Sequence, residues 1–340
     1  MPTVPLPDDL RAALADQLRS TAPSAASAQV ERLMVSYRGT TPTAAPILRD
    51  AADVAAYAAY RMPATYAAVR TALGAFRLRS GDWSPQTHLD LGGGTGAATW
   101  AVADAWQDAG HRSTVLDWSQ AALTLGAALA KAAHTPAVRD AEWTRQPLGG
   151  TPRLPRTDLV TVSYVLGELP AADRESLVTA AAEAAGGAVV VVEPGTPEGY
   201  ARVIAARDRL IAAGMRVLAP CPHDDTCPVT GDDWCHFASR VQRTALHRQI
   251  KGASLPYEDE KFSYVAAARF PAGPADARVV RHPQIRKGLV LLDLCVRPPA
   301  LTRTTVSKRQ GADYRAARDT EWGDPWPPAA GSGEDGTPQP

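Results

Sequence analysis

Three of the chain's four cysteines fall within "PCPHDDTCPVTGDDWCHF", residues 220–237, and the fourth is Cys295. Cys221, Cys227, Cys235 and Cys295 together read C-x5-C-x7-C-x59-C. Four cysteines in 340 residues are too few for the disulfide framework of a secreted domain, so their clustering points to metal or redox chemistry. Structural zinc sites bring their cysteines in pairs about two to four residues apart, and this chain has no such pair. Wider spacing suits a bulkier centre, and four thiolates are the full complement of a [4Fe–4S] cluster. Cys221 and Cys227 are each followed by proline, as at ferredoxin cluster ligands, where proline stiffens the turn and removes a competing donor. On spacing alone three readings stand: an iron–sulfur cluster, a zinc ion, and buried or disulfide-forming thiols. His223 and His236 flank the cysteines and could replace one ligand; an ordinary surface or hydrogen-bonded histidine is the preferred reading of each.

A second motif is "LDLGGGTG", with Asp90 ahead of Gly92, Gly94 and Gly96. A strand that turns tightly into a helix needs residues without a β-carbon where a ligand lies against the loop. A dinucleotide satisfies that pattern too. Asp90 argues instead for a ligand with a cationic amino group, because it would repel a pyrophosphate. Asp117, at the end of the next predicted strand, is placed to accept both hydroxyls of a ribose. The pair resembles the glycine-loop signature of S-adenosylmethionine-dependent methyltransferases. Ser163 and Tyr164, at the end of the fourth predicted strand, join Asp90, Gly92, Gly94, Gly96 and Asp117 as expected cofactor contacts. Glu168 lies near the same rim. The Asn/Asp-Pro-Pro-aromatic motif that grips an exocyclic amine is absent there. Pro220-Cys221 matches a cytosine-methylating nucleophile only as a dipeptide, because it falls after the fifth strand. No catalytic residue is assigned.

Those residues need an α/β frame. Residues 8–80 read as helical, with Pro63 expected to kink or restart the last helix. From residue 81 short apolar runs alternate with helical segments: "THLDLG", "STVLDWS", a weaker strand at Ala141 to Trp143, "TDLVTVSYVL" and "GAVVVVEPG". Such alternation predicts a parallel, Rossmann-like sheet covered on both faces. "KFSYVAAARF" adds a strand, and "ARVVRH", "GLVLLDLCV" and "TRTTVSK" suit a β meander. The expected divisions are an N-terminal helical region (1–80), a Rossmann-like core (81–218), a Cys-rich insertion with a basic helix (219–257), sheet-completing strands with a β extension (258–322) and a disordered tail (323–340).

The balanced charge, 36 basic against 36 acidic residues, hides a division. Residues 199–318 carry 20 Lys+Arg and 11 Asp+Glu, and the remainder 16 and 25. "HFASRVQRTALHRQIKG" is expected to form a helix carrying Arg240, Arg243, His247, Arg248 and Lys251, several on one face at spacings that suit a phosphate backbone. Lys308 and Arg309 extend that footprint. No apolar run is long enough to span a bilayer, and acids in the opening segment are atypical of a transit peptide, so a cytosolic protein is expected.

The segments "YRMPATYAAV", "LDLGGGTGAATWA", "SYVLGEL", "VVEPGTPEGY", "APCPH", "DWCHF", "EDEKFSYV", "LDLCV", "TVSK" and "WGD" occur in this order, from about Tyr57 to Trp326. In this the chain resembles the methyltransferase-like assembly-factor family of the small ribosomal subunit, which has mitochondrial members. The resemblance implies a class I methyltransferase fold, a role in maturation of the small subunit and contact with its rRNA. It also implies a [4Fe–4S] cluster on the four matching cysteines, with zinc as the alternative. Off the ribosome a monomer is expected. Two activities fit: methyl transfer to rRNA, or a non-catalytic RNA-binding assembly factor. A small-molecule methyltransferase with a zinc-stapled lid is a third.

Overall fold

A computed structural model describes residues 3–18, 51–107, 110–243, 255–271, 273 and 275–328. Eight strands form the main sheet: β1 (Thr87–Leu91), β2 (Arg112–Asp117), β3 (Glu142–Arg145), β4 (Thr157–Ser163), β5 (Ala185–Pro194), β6 (Arg216–Ala219), β7 (Phe237–Gln242) and β8 (Tyr257–Ala268). Their order is β3-β2-β1-β4-β5-β8-β6, with β7 also on β8. Pairing is parallel from β3 through β5, and β8 runs antiparallel to β5. This is the Rossmann-like sheet that the alternation of elements predicts, in the class I methyltransferase form that the resemblance implies. The winding reverses between β1 and β4, and such sheets open a crevice for ligands beyond the carboxyl ends of the strands at that point.

The sequence of β5 shows why the sheet is covered on both faces. Ala188, Val190 and Val192 enter one core, with α1 (Asp8–Leu18), α2 (Ala51–Ser80) and α3 (Ala97–Ala105). Val189 and Val191 enter the other, with α6 (Ala171–Ala184) and α7 (Pro197–Ala212). An unbroken apolar run is what a strand buried on both sides requires. The helices α4 (Gln120–Ala130) and α5 (Pro136–Arg139) link β2 to β3. Helix α2 approaches the sheet closely through buried Ala58, Ala64, Ala67, Ala68 and Ala72. It runs through Pro63 as one 30-residue element, so the expected restart does not occur. Of the expected N-terminal helical region, residues 19–50 lie outside the described residues.

Strand β8 gives one edge to two partners. β6 pairs with its residues 266–268 and β7 with 257–262. The cysteine loop between β6 and β7 therefore leaves and rejoins the same edge of the same strand. A second, antiparallel sheet follows: β9 (Ala277–Val279), β10 (Gln284–Arg286), β11 (Leu289–Val296), β12 (Ala300–Ser307) and β13 (Pro325–Trp326). Val279, Val290, Leu292, Leu294 and Val306 pack with Ala317 of α8 (Ala312–Asp319) into a core of their own. The unordered tail expected from residue 323 is corrected over its first residues, because Pro325 and Trp326 pair with Arg278 and Ala277.

A polar chain crosses the main sheet beneath the crevice. Thr161 Oγ1 donates to Asp90 Oδ1 (2.9 Å), so it accepts from Nε2–H of His88 (2.9 Å), whose Nδ1 faces the Ser113 hydroxyl at 3.3 Å. Burial, with His111 nearby, lowers the His88 pKa from 6.5 to about 3. Burial raises that of Asp90 from 3.8 to about 6. The two act in opposite directions. The unfolded chain binds the extra proton at His88 between pH 6.5 and 3, so stability from neutral His88 is complete above 6.5 and is lost on acidification. At Asp90 the folded state holds the extra proton, so its ionisation subtracts stability as pH rises from 3.8 to 6. We predict that the stability difference between wild type and His88→Gln, followed by urea unfolding, shifts against the wild type by on the order of 4 kcal/mol between neutral and acid pH. The corresponding difference for Asp90→Asn shifts in favour of the variant as pH rises over 3.8–6.

Candidate functional site

The crevice is walled by the loop after β1. Gly92, Gly94 and Gly96 have φ of 67°, 53° and 85°, the left-handed region that favours glycine. A β-carbon on Gly92 would stand 2.4 Å from Val165 Cγ2, so the turn closes only without one. At Gly94 the nearest atom to such a carbon is Asp117 Oδ2 at 3.8 Å; the loop is open there, beside a carboxylate. Asp117 accepts from Gly94 N (2.9 Å) and Ser119 N (2.7 Å), which aims its remaining lone pairs along the open face of the loop. Burial raises its pKa, and backbone donors at Ser119, Gly94 and Trp118 oppose that rise. Trp118 beside it is exposed and offers an aromatic face.

Asp90 is fully buried, and its two oxygens accept from Thr99 (3.1 Å) and Thr161 (2.9 Å). The carboxylate ties β1 to α3 and β4 and holds the loop from below. Ser163 is buried at the end of β4. Tyr164 is the only non-glycine residue with positive φ (58°) among the described residues. Its hydroxyl donates to Glu260 Oε1 (3.0 Å), and Glu260 takes two bonds from Arg61 (2.9 and 3.2 Å), whose guanidinium lies 5.6 Å from the Tyr164 ring centroid.

Sequence reasoning placed Glu168 only near the rim. Its pKa is raised to about 8, by burial first and then by the charges of Asp117 and Glu193. No hydrogen bond or ion pair engages its carboxylate among the described residues. The crevice thus holds a carboxylate that gains by meeting a cation. Glu193 was not singled out at all. It is fully buried, accepts from Leu166 N (3.0 Å) and pairs with Arg202 of α7 (2.7 Å). Its place in "VVEPG", an acid inside an unbroken apolar strand, was the available signal.

The four cysteines line a single pocket. Cys221, Cys227 and Cys235 come from the loop and Cys295 from β11. In β11, Val290, Leu292 and Leu294 face their own core, so Cys295, one residue on, points to the opposite side of the sheet. Helix α7 closes one wall with Tyr200, Val203, Ile204 and Arg207, an i, i+3, i+4, i+7 stripe. The Tyr200 hydroxyl lies 3.3 Å from Cys227 Sγ, and His223 Nε2 lies 3.6 Å from Cys295 Sγ. His236 stacks on Trp234 at 5.2 Å between centroids. All four thiols are free. Burial, and secondarily the neighbouring sulfurs, raises the pKa of Cys235 well above its usual value and that of Cys295 to about 12. Among the described residues no group of three or more His, Cys, Asp or Glu side chains is arranged to hold a metal ion.

The expected basic helix is corrected over its first residues; residues 244–252 lie outside the described residues. Residues 237–242 form β7, because "FASRVQ" finds a full ladder along β8. Arg240 pairs with Asp259 (2.9 Å) and lies 4.1 Å from the Tyr257 ring centroid; Arg243 pairs with Glu258 (3.2 Å). They do not form a free cationic face. His247, Arg248 and Lys251 lie outside the described residues. Lys308 and Arg309 are exposed in a short turn after β12, on the second sheet.

Comparison with known proteins decides the lineage. A model of the family described as mitochondrial small ribosomal subunit Rsm22 matches residues 51–327. The chain belongs to the Rsm22 family. The human mitochondrial ribosome assembly protein METTL17 is 31% identical over 292 residues, covering 79% of this chain and 61% of the human protein. The Schizosaccharomyces pombe mitochondrial Rsm22-cox11 tandem protein 2 is 25% identical over 185 residues, 42% of this chain and 25% of that protein. The chain therefore spans about three-fifths of one relative and a quarter of the other. Among solved structures, magnesium protoporphyrin IX methyltransferase from Synechocystis with bound S-adenosylmethionine aligns at TM-score 0.40 and 14% identity, over 79% of this chain and all of that one. An O-methyltransferase family protein from Burkholderia thailandensis aligns at 0.42 and 14%, over 77% and 68%. The cytosolic placement is corrected by the same findings, since these Rsm22 relatives are mitochondrial. No helix among the described residues is long and apolar enough to cross a membrane.

The Glu193–Arg202 pair fixes the floor of the crevice, and removing one partner leaves a fully buried carboxylate uncompensated. We predict that Arg202→Met costs about 3 kcal/mol in urea unfolding at neutral pH. Adding Glu193→Gln, which keeps an acceptor for Leu166 N without the charge, is expected to recover most of that loss.

Proposed function

We propose that this Rsm22-family chain acts in assembly of the small ribosomal subunit as an S-adenosylmethionine-binding protein that also holds a [4Fe–4S] cluster on Cys221, Cys227, Cys235 and Cys295. One observation carries the reading: four thiols from a loop and a separate sheet, distant in sequence, line one cavity beside a methyltransferase-type crevice. The ribosomal setting rests on family membership and on the relative described as a ribosome assembly protein.

The residues present fit both groups. For the cofactor, the open face at Gly94 admits a ligand beside Asp117, which can accept ribose hydroxyls, and Trp118 offers a face to a purine. Glu168, whose raised pKa keeps it largely protonated at neutral pH, would ionise on meeting an amino group or sulfonium. For the cluster, an all-thiol donor set suits iron–sulfur chemistry and zinc alike. The C-x5-C-x7-C spacing, wider than the pairs of structural zinc sites, suits the larger centre. Bound S-adenosylmethionine supplies an electrophilic methyl group; a bound cluster supplies folding energy and a site that can change charge. Together they would hold the second sheet, with Lys308 and Arg309, at a fixed angle to the crevice. Contact of Arg240, Arg243, Arg248, Lys251, Lys308 and Arg309 with rRNA belongs to the same proposal; for Arg240 and Arg243 it requires exchange of an ion pair for phosphate.

A second reading, binding without methyl transfer, is favoured by Tyr164. Its hydrogen bond to Glu260, held in turn by Arg61, occupies the strand end where an amine-gripping motif is missing. The test has two parts. Anaerobically purified protein is expected to be brown, with roughly four iron and four sulfide per chain, lost in Cys235→Ser. About one zinc and no iron after anaerobic preparation would overturn the cluster. Calorimetric titration is expected to detect S-adenosylmethionine binding that Asp117→Ala weakens roughly tenfold to a hundredfold, each lost charge-assisted hydrogen bond being worth about 1.5–3 kcal/mol. Transfer of labelled methyl to small-subunit RNA, measured on the same preparations, separates enzyme from binding protein.

A further inference from the structure

Two arginines on the walls of the cysteine cavity lack the partners that such burial requires. Arg207 and Arg278 are 2% and 1% exposed, and both line the cavity. Arg278 donates from Nε to Pro220 O (2.8 Å) and from Nη1 to Gly323 O (2.7 Å), while its Nη2 is buried without a partner. No carboxylate forms an ion pair with it among the described residues. Arg207 donates to the carbonyls of His223 (3.0 Å) and Asp225 (2.6 Å) and lies against the Cys221 thiol. Its one ion pair is with Asp208, whose side chain is 63% exposed, and its Nε is buried without a partner.

Placement argues against accident. Arg278 is the direct cross-strand partner of Cys295 in the β9–β11 ladder, so the two side chains emerge on the same face. Its neighbours Ala277 and Val279 face the second sheet's own core. Arg207 completes the stripe of α7 that begins with Tyr200 and faces Cys221 and Cys227. A buried guanidinium costs several kcal/mol unless an anion answers it. Beside four neutral thiols, Arg278 has no carboxylate among the described residues, Arg207 has only the exposed one of Asp208, and one N–H group of each is left without a partner.

We infer that Arg207 and Arg278 are the built-in counter-charges of a dianionic, four-thiolate centre, donating N–H bonds to its sulfurs. Four thiolates around a dicationic core leave two negative charges, whether the core is a [4Fe–4S] unit or a single divalent ion. The inference rests on the proposed metal centre. An iron–sulfur core adds a further consequence. An electron supplied by an electrode takes the centre from two negative charges to three, with no bond made or broken. Net charge and hydrogen bonds to sulfur set the potentials of such centres. The arginine pair therefore favours the reduced form.

The test uses the full chain reconstituted anaerobically, as wild type, Arg278→Gln, Arg278→Lys and Arg207→Gln. Spectroelectrochemistry is expected to show the midpoint of each Gln variant lowered, about 59 mV for each tenfold loss in relative affinity for the reduced state. Arg278→Lys keeps the charge but cannot bridge Pro220 O and a sulfur together, so it should fall between. Faster loss of iron to a chelator should follow the same order. Cobalt(II) titration of the metal-free proteins, read by thiolate charge-transfer absorption, forms the second arm; the Gln variants should bind at least tenfold more weakly. Wild type that takes cobalt but no iron overturns the cluster and leaves the counter-charge inference to be decided by the cobalt arm. Iron-loaded variants that match wild type in midpoint, iron loss and cobalt affinity overturn the inference and leave the cluster standing. Wild type that binds neither metal overturns both. Where Arg278→Gln fails to fold, Arg278→Lys and Arg207→Gln carry the same comparison.

Discussion

One constraint organises the second half of the molecule: a single edge of β8 pairs with β7 along residues 257–262 and with β6 along 266–268. Edge backbone groups that leave water must be paired, so both junctions are fixed by ladder hydrogen bonds. The chain from Pro220 to His236 is thereby a closed excursion whose ends cannot separate. It is rich in proline, aspartate and glycine, and contributes little apolar surface to any core. Its order comes from its rims. Ser263 of β8 donates to Cys235 O (2.7 Å), Trp234 donates from Nε1 to Gly195 O (2.9 Å), and Arg281, just after β9, pairs with Asp233 (2.5 Å). What remains at its centre is the sulfur-lined cavity. A ligand there would tie three separately ordered parts together, which is why bound metal would act as folding energy for this region.

Helix α7 is common to both sites. One face presents Tyr200, Val203, Ile204 and Arg207 to the cysteines. Another presents Arg202 to Glu193, and through it sets the backbone at Leu166 on the rim of the crevice. The helix begins at Thr196, which caps it by accepting from Gly199 N (3.1 Å), directly after the turn at Gly195 that Trp234 holds. The same rigid element therefore meets two sites through residues two positions apart. This is contiguity of structure, and it specifies which contacts would have to change for one site to report on the other.

Local features of the sequence were legible, and long-range commitments were not. The glycine loop, Asp117 and the strand alternation are read from adjacent residues, and their backbone angles and positions follow. The role of Asp90 depends on Thr99 and Thr161, and no local pattern says that these two hydroxyls reach its oxygens. The basic segment failed for a related reason. Over 237–242 the helical spacing of basic residues competed with the alternating "FASRVQ", and the ladder along β8, fixed by distant residues, decided for strand there. Arg207 carried a signal that was passed over: it occupies the i+7 position of a stripe otherwise made of Tyr200, Val203 and Ile204, where a solvated charge does not belong. Arg278 carried a similar one, as the polar member between two apolar residues of a short strand whose other face needed its own occupant.

Tyr164 shows how the two halves of the fold limit each other. A tyrosine at φ 58° is strained, at a cost of about 1–3 kcal/mol, and such a conformation persists only where the surroundings over-determine it. Here its amide donates to Val192 O of β5 (2.8 Å), and its hydroxyl reaches Glu260 of β8. Glu260 is in turn clamped by Arg61 of α2. Three elements distant in sequence thus fix one side chain at the mouth of the crevice. β8 holds Glu260 in place partly because β7 pairs along the same segment, with Ser239 opposite Glu260. The geometry of the crevice rim and the closure of the cysteine loop therefore rest on the same residues of β8. A substitution that frays β7 from β8 acts on both sites at once, whereas one that removes a cysteine leaves the ladder, and with it Tyr164, in place.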